Sequence, residues 1–144
     1  MLKSIPKVLT GDMLKVLCDM GHGDEIVIAD ANFPAETYAK RLIRCPGIDG
    51  VDLCKAIISV FPLDTYSKAP AVLMDLTDSD KEKGMQEPAI WEEYYDTVCA
   101  KKYVEFEKIE RYEFYERAKN AYAIIQCGEE RQYGNLILVK GVVL

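Results

Sequence analysis

Gly21-His22-Gly23-Asp24-Glu25-Ile26-Val27-Ile28-Ala29-Asp30-Ala31-Asn32-Phe33-Pro34 (residues 21–34) reads as a tight turn, a strand and a stop. Glycine on either side of His22 permits the turn. Glu25 to Asp30 is almost wholly apolar inside, the pattern of a strand covered on both faces. Such strands belong to sheets with helices on each side. Upstream, Thr10 caps a helix running to about Met20, with Met13, Leu14, Leu17 and Met20 on one face and Gly21 as its stop. Downstream, residues 34–50 read as loop, with room for a short strand at Leu42–Arg44.

The same alternation continues. Val51 to Phe61 is a helix with Leu53, Ile57, Ile58 and Phe61 inward, ended by Pro62. Ala71 to Leu76 is a second buried strand, and Thr77 to Gln86 is charged and exposed. A helix follows from Pro88 to about Lys101, then a half-buried strand from Val104 to Ile109. Phe114 to Asn120 is a short helix. Tyr122–Gln126 and Leu136–Lys140 are two further strands, joined by a Gly-rich turn at Cys127–Asn135. Strands alternating with helices predict an α/β fold with a mixed, mostly parallel sheet. No repeat, linker or low-complexity segment divides the 144 residues, so a single domain over 1–144 is expected.

Composition excludes several functions. The net charge is −6, and no run of basic residues is longer than two, as at Lys101-Lys102, which Glu105 and Glu107 soon follow. Nucleic acid and anionic membranes, which require clustered positive charge, are poor partners. One histidine rules out every site built on two imidazoles. The five cysteines, at 18, 45, 54, 99 and 127, are odd in number and contain no CxxC, so neither a disulfide framework nor a structural zinc site is expected. Pro6, Lys7 and Asp12 interrupt the N-terminal segment before a secretory core can form. The longest apolar run, Ala56–Leu63, falls far short of a membrane span. A cytoplasmic protein is the expectation.

Gly21-His22-Gly23 lies after a helix and before a strand, the reverse of a dinucleotide fingerprint, and the chain has no P-loop. No cofactor is therefore expected. An imidazole flanked by glycines is open to a ligand and titrates near neutrality, which suits general acid–base work. It could equally hydrogen-bond its own loop. Asp30 ends a buried strand, where open α/β sheets bind ligands, or it caps the next turn. Asp64 in Leu63-Asp64-Thr65-Tyr66 reads the same two ways, and Asp75 inside an apolar strand needs a partner or an edge position. Arg111-Tyr112-Glu113-Phe114-Tyr115 joins rings to charge, as a sugar site does, or begins an amphipathic helix. Tyr133-Gly134-Asn135 offers a hydroxyl and a carboxamide in what is otherwise a plain turn.

Taken together, MGHGDEIVIADANFPA (Met20–Ala35), PLDTY (Pro62–Tyr66), KIERYEFYERAKNAYAII (Lys108–Ile125) and GEERQYGNLILVKGV (Gly128–Val142) resemble the L-fucose mutarotases, relatives of the D-ribose pyranases. These segments span nearly the whole chain in order. ANFPA and the FYERA block resemble the fucose branch, and residues 36–49 and 77–103 fit less well. The resemblance implies a three-layer α/β/α domain whose mixed sheet has helices on both faces. It implies a cofactor-independent isomerase that interconverts the α and β anomers of free L-fucose. It implies a homodecamer of two stacked pentamers with sites at subunit boundaries. It gives His22 and Tyr115 catalytic roles, and makes Asp30, Asp64, Arg111, Tyr133 and Asn135 substrate contacts, with no metal. Two alternatives remain. One is a pyranase acting on D-ribose by the same ring opening. The other is a non-catalytic sugar-binding or transport-accessory protein, which would bind fucose without speeding anomer exchange.

Overall fold

The computed structural model describes residues 1–144. In chain order the elements are α1 (Gly11–Asp19), β1 (Glu25–Ala29), α2 (Ala35–Tyr38), β2 (Leu42–Cys45), α3 (Gly50–Ile58), β3 (Ala71–Met74), α4 (Asp78–Glu82), α5 (Ala89–Val98), β4 (Phe106–Ile109), α6 (Arg111–Asn120), β5 (Ala123–Cys127) and β6 (Leu136–Val139). The six strands form one sheet in the order β2-β5-β1-β6-β3-β4. Neighbours are parallel except β6, which runs antiparallel between β1 and β3.

Side chains alternate across this sheet into two cores. Ile26, Ile28, Leu73, Ile125, Leu136 and Leu138 join Met13 and Leu17 of α1, Leu53 and Ile57 of α3, and Ile90 and Tyr94 of α5. Val27, Val72, Ile124 and Ile137 face the other way, onto Ala35 of α2 and Phe114 and Ala118 of α6. The expected three-layer arrangement is therefore present, and every residue of β3 and β6 is buried. No helix is long and apolar enough to cross a membrane.

The differences from the sequence reading are local and have causes. A one-turn helix, α2, occupies part of the expected 34–50 loop. The charged 77–86 segment contains α4, which buries no residue and depends on its cap, with Thr77 Oγ1 accepting from the Asp80 N–H. α6 begins at Arg111, three residues earlier than expected. The Glu110 carboxylate accepts from the N–H groups of Tyr112 and Glu113, a capping role usually taken by shorter side chains. β3 stops at Met74, short of the expected Leu76, and β4 starts at Phe106 rather than Val104.

The join between β5 and β6 has the largest consequence. Its turn residues suggest a simple reversal, yet β1 lies between the two strands. Residues 128–135 therefore pass over the carboxyl end of β1, and Glu129 O accepts from the Ala31 N–H at 2.8 Å.

Candidate active site

At the carboxyl end of β1 the crossing segment locks onto Asp30. Asn135 Oδ1 accepts from the Asp30 N–H, and Asn135 Nδ2 donates to Asp30 Oδ2, both at 2.9 Å. Asp30 Oδ1 accepts from the Asn32 N–H at 3.0 Å. Burial pushes the Asp30 carboxyl above its ordinary range, against the opposing pull of these bonds. The segment itself is anchored by buried Glu129, whose carboxylate accepts from the Gly50 N–H and from the Arg131 backbone and guanidinium. Arg131 holds the Glu129 carboxyl below the usual range. Gly134 cannot carry a side chain here, because a Cβ would come within 2.8 Å of Glu129 Cγ.

α6 supplies the facing wall. Arg111 and Tyr115, one turn apart, share a face, and Arg111 Nε donates to Tyr115 Oη at 2.9 Å. A phenol oxygen that accepts from a guanidinium keeps its own proton free to give. The Tyr115 ring stacks on Tyr38 (5.2 Å between centroids) and meets Phe33 edge-on. Asp30, Arg111, Tyr115, Tyr133 and Asn135 all line one cavity of about 480 Å³. Phe33, Met74, Thr77, Asp80 and Gln132 line it too, and the sequence reading did not single them out. Met74 closes β3 at the carboxyl end of the sheet, where ligands bind, a signal hidden by the expected strand limit at Leu76. Thr77 and Asp80 belong to the short helix that charge patterning hid.

The remaining two candidates lie elsewhere. His22 precedes β1, so the five residues of that strand separate it from Asp30, roughly 16 Å at the usual rise. Gly23, at φ +87°, makes the turn and donates its N–H to Lys140 O at 2.8 Å. Asp64 meets His22 at this opposite edge: His22 Nε2 lies 2.9 Å from Asp64 Oδ1. The rest of Asp64 serves its own loop, with Oδ1 accepting from the Tyr66 N–H and Oδ2 from the Ser67 N–H. Burial works to raise the Asp64 carboxyl, but the bonds from His22, Ser67 and Tyr66 outweigh it and hold the group well below the carboxylate range. An ionised carboxylate only accepts, so Nε2 carries a proton and Nδ1 is the nitrogen left to exchange one. Tyr66, largely exposed, sets its ring 5.2 Å from the imidazole.

A second cavity of about 500 Å³ lies near Phe61, Leu63, Val98 and Val142, and no Asp, Glu, His or Tyr lines it. Its walls offer nothing that moves a proton near neutrality.

Two expectations follow from these bonds. Asp30→Asn should cost about 1–3 kcal/mol, measured as a denaturant midpoint. The Asn135 amide is fixed by the Asp30 N–H, so a second amide at position 30 would set donor against donor. Asp64, whose folded value is depressed, adds stability that is present above its unfolded value of 3.8 and lost as pH falls through the folded one. Below about pH 4 the parent's midpoint should therefore fall more steeply than that of Asp64→Asn.

Comparison with known proteins places this geometry. The model of the RbsD / FucU transport protein family matches residues 3–143. Fucose mutarotase from Mus musculus is 49% identical over 149 residues, covering 99% of this chain and 95% of that protein. The crystal structure of fucose mutarotase from Streptococcus pneumoniae, in complex with L-fucose, superposes with a TM-score of 0.93 at 41% identity, covering 99% of this chain and 100% of that one. Bacillus subtilis RbsD complexed with D-ribose superposes at 0.72 with 26% identity, covering 100% of both chains.

Proposed function

The chain belongs to the RbsD / FucU family, and from that membership we propose that it is an L-fucose mutarotase, an isomerase that interconverts the α and β anomers of the free sugar. One observation carries the reading furthest. Five polar and aromatic side chains converge on a cavity of monosaccharide size, in a fold that superposes on a fucose mutarotase holding L-fucose.

The reaction moves protons only. One group removes the proton of the anomeric hydroxyl while another protonates the ring oxygen, and the chain form recloses on its other face. His22, through Nδ1, is the proton-transferring base and acid. Asp64 keeps Nε2 protonated and the ring in place. Tyr115 gives or relays the second proton, because Arg111 occupies its oxygen as donor. Asp30, Asn135, Tyr133 and Arg111 orient the sugar hydroxyls, and the rings around Tyr115 cover its C–H face. A positioned acid–base pair contributes about 10²–10⁴-fold, a large share of what an already spontaneous reaction needs.

His22 and the cavity lie at opposite ends of β1, so a complete site takes its imidazole from a neighbouring copy. The assembly we propose is a homodecamer of two stacked pentamers with sites at the subunit boundaries. The five free cysteines support a reducing, cytoplasmic setting.

Saturation-transfer NMR on L-fucose tests the activity, with D-ribose run in parallel. Faster exchange of the L-fucose anomers is the expected result. Faster pyranose–furanose exchange of ribose alone would favour the pyranase reading. Saturable fucose binding without faster exchange would leave a binding protein.

A further inference from the structure

Tyr133 is held in a way that a simple contact residue would not require. Its φ of +62° lies in the left-handed region, uncommon for a bulky side chain. Two neighbours fix it there. Trp91 Nε1 donates to its carbonyl at 3.1 Å, and the two rings meet edge to face at 6.4 Å. The next carbonyl, of Gly134, accepts from Tyr94 Oη at 2.8 Å. Strain of this kind persists only where the surroundings over-determine it, and it is concentrated at functional sites.

The hydroxyl is fixed as firmly as the backbone. Tyr133 Oη accepts from the Thr77 N–H at 3.1 Å and donates to Asp80 Oδ2 at 2.5 Å. A phenol has one proton and two lone pairs. A carboxylate has only lone pairs, so the single proton must lie on the Asp80 side. The other acceptor in reach, Thr77 Oγ1, is 3.4 Å away and already takes the Asp80 N–H. Asp80 is itself steadied by Lys83, at 3.9 Å. With one lone pair given to Thr77 and the proton given to Asp80, Tyr133 can offer the cavity only an acceptor.

We propose that Asp80 is a positioning residue that sets the hydrogen-bond polarity of Tyr133, so that this phenol accepts from a sugar hydroxyl rather than donating to it. The proposal rests on the reading of the cavity as a monosaccharide site. It gives α4 a part in choosing the substrate, since a sugar must present a hydroxyl, not merely an acceptor, at that position. It also separates the two phenols of the cavity: Tyr115 keeps a proton to give, and Tyr133 does not.

The test measures binding by competition NMR for L-fucose and its monodeoxy and monofluorodeoxy analogues at each non-anomeric hydroxyl. The position facing Tyr133 is the one whose deoxy penalty disappears in Tyr133→Phe. At that position the parent should bind the fluoro analogue no better than the deoxy one, because fluorine cannot donate. Asp80→Ala releases the phenol proton, and the fluoro analogue should then exceed the deoxy analogue about five- to tenfold, the worth of one hydrogen bond. Asp80→Asn keeps an acceptor oxygen and should restore the parent's ranking. A purely structural role would weaken all the sugars together and leave the ranking alone. An unchanged ranking in Asp80→Ala, with L-fucose still bound by the parent, overturns this proposal alone. Failure of the parent to bind L-fucose overturns the reading of the cavity along with it.

Discussion

His22→Gln should slow L-fucose anomer exchange by about 10²- to 10⁴-fold while the protein remains folded. The side chain is 44% exposed, so its loss removes little buried surface. Glutamine can still donate an amide proton to Asp64, which keeps the 63–67 loop seated, but it cannot exchange a proton near neutrality. Asp64→Asn should fall between the two. Its amide can donate to the imidazole as well as accept from it, so a fraction of His22 adopts the tautomer with the proton on Nδ1, where the sugar needs a base. Saturation-transfer rates and denaturant midpoints on the same samples check both statements. Undiminished exchange in a folded His22→Gln protein would remove the imidazole from the mechanism.

The second large effect is a gain. His22→Gln and Asp30→Ala should each be inactive alone, for opposite reasons: one lacks the imidazole and the other the cavity's carboxylate. If a site draws its two halves from two copies, co-expression should recover exchange in about a quarter of the sites under random mixing of identical subunits. That amounts to tens-fold or more over either variant alone. A chain carrying both substitutions, co-expressed with the parent, supplies the control, because it adds no intact half-site. No recovery on mixing would require each site to lie within one chain, which a separation of roughly 16 Å along β1 opposes.

Much of this architecture is legible in residue patterns, for reasons the structure makes plain. EIVIA and AVLM are apolar without alternation because helices cover both faces of the sheet, and both are strands within two residues of the expected limits. Met13 and Leu17 share a helix face because both pack on that sheet. Five of the seven candidate residues meet in one cavity. The separation of His22 and Asp64 from those five could not be read from pattern, since it depends on which end of a strand each loop occupies. α4 escaped because it buries nothing, so its charged sequence carries no apolar period, yet Thr77 and Asp80 reach the cavity through hydrogen bonds. The position of β6 escaped for a related reason: LILV is as apolar as any buried strand, and nothing in it says which two neighbours it divides.

That position governs how the molecule can fold. β6 is the only link between β2-β5-β1 on one side and β3-β4 on the other, so without it there are two ribbons and no continuous sheet. Its partners are distant in sequence: Ile26 faces Leu138, and Ala71 faces Leu138 from the other side. Closing such long loops before their contacts form is slow. The segment leading into β6 also carries Tyr133 and Asn135, so the strand that joins the ribbons draws these two residues over Asp30 in the same event. Until β6 pairs, Tyr133 and Asn135 are missing from the cavity and Asp30 lacks its amide partner, so a nascent chain that has not yet placed this strand offers a sugar only the wall formed by Arg111 and Tyr115.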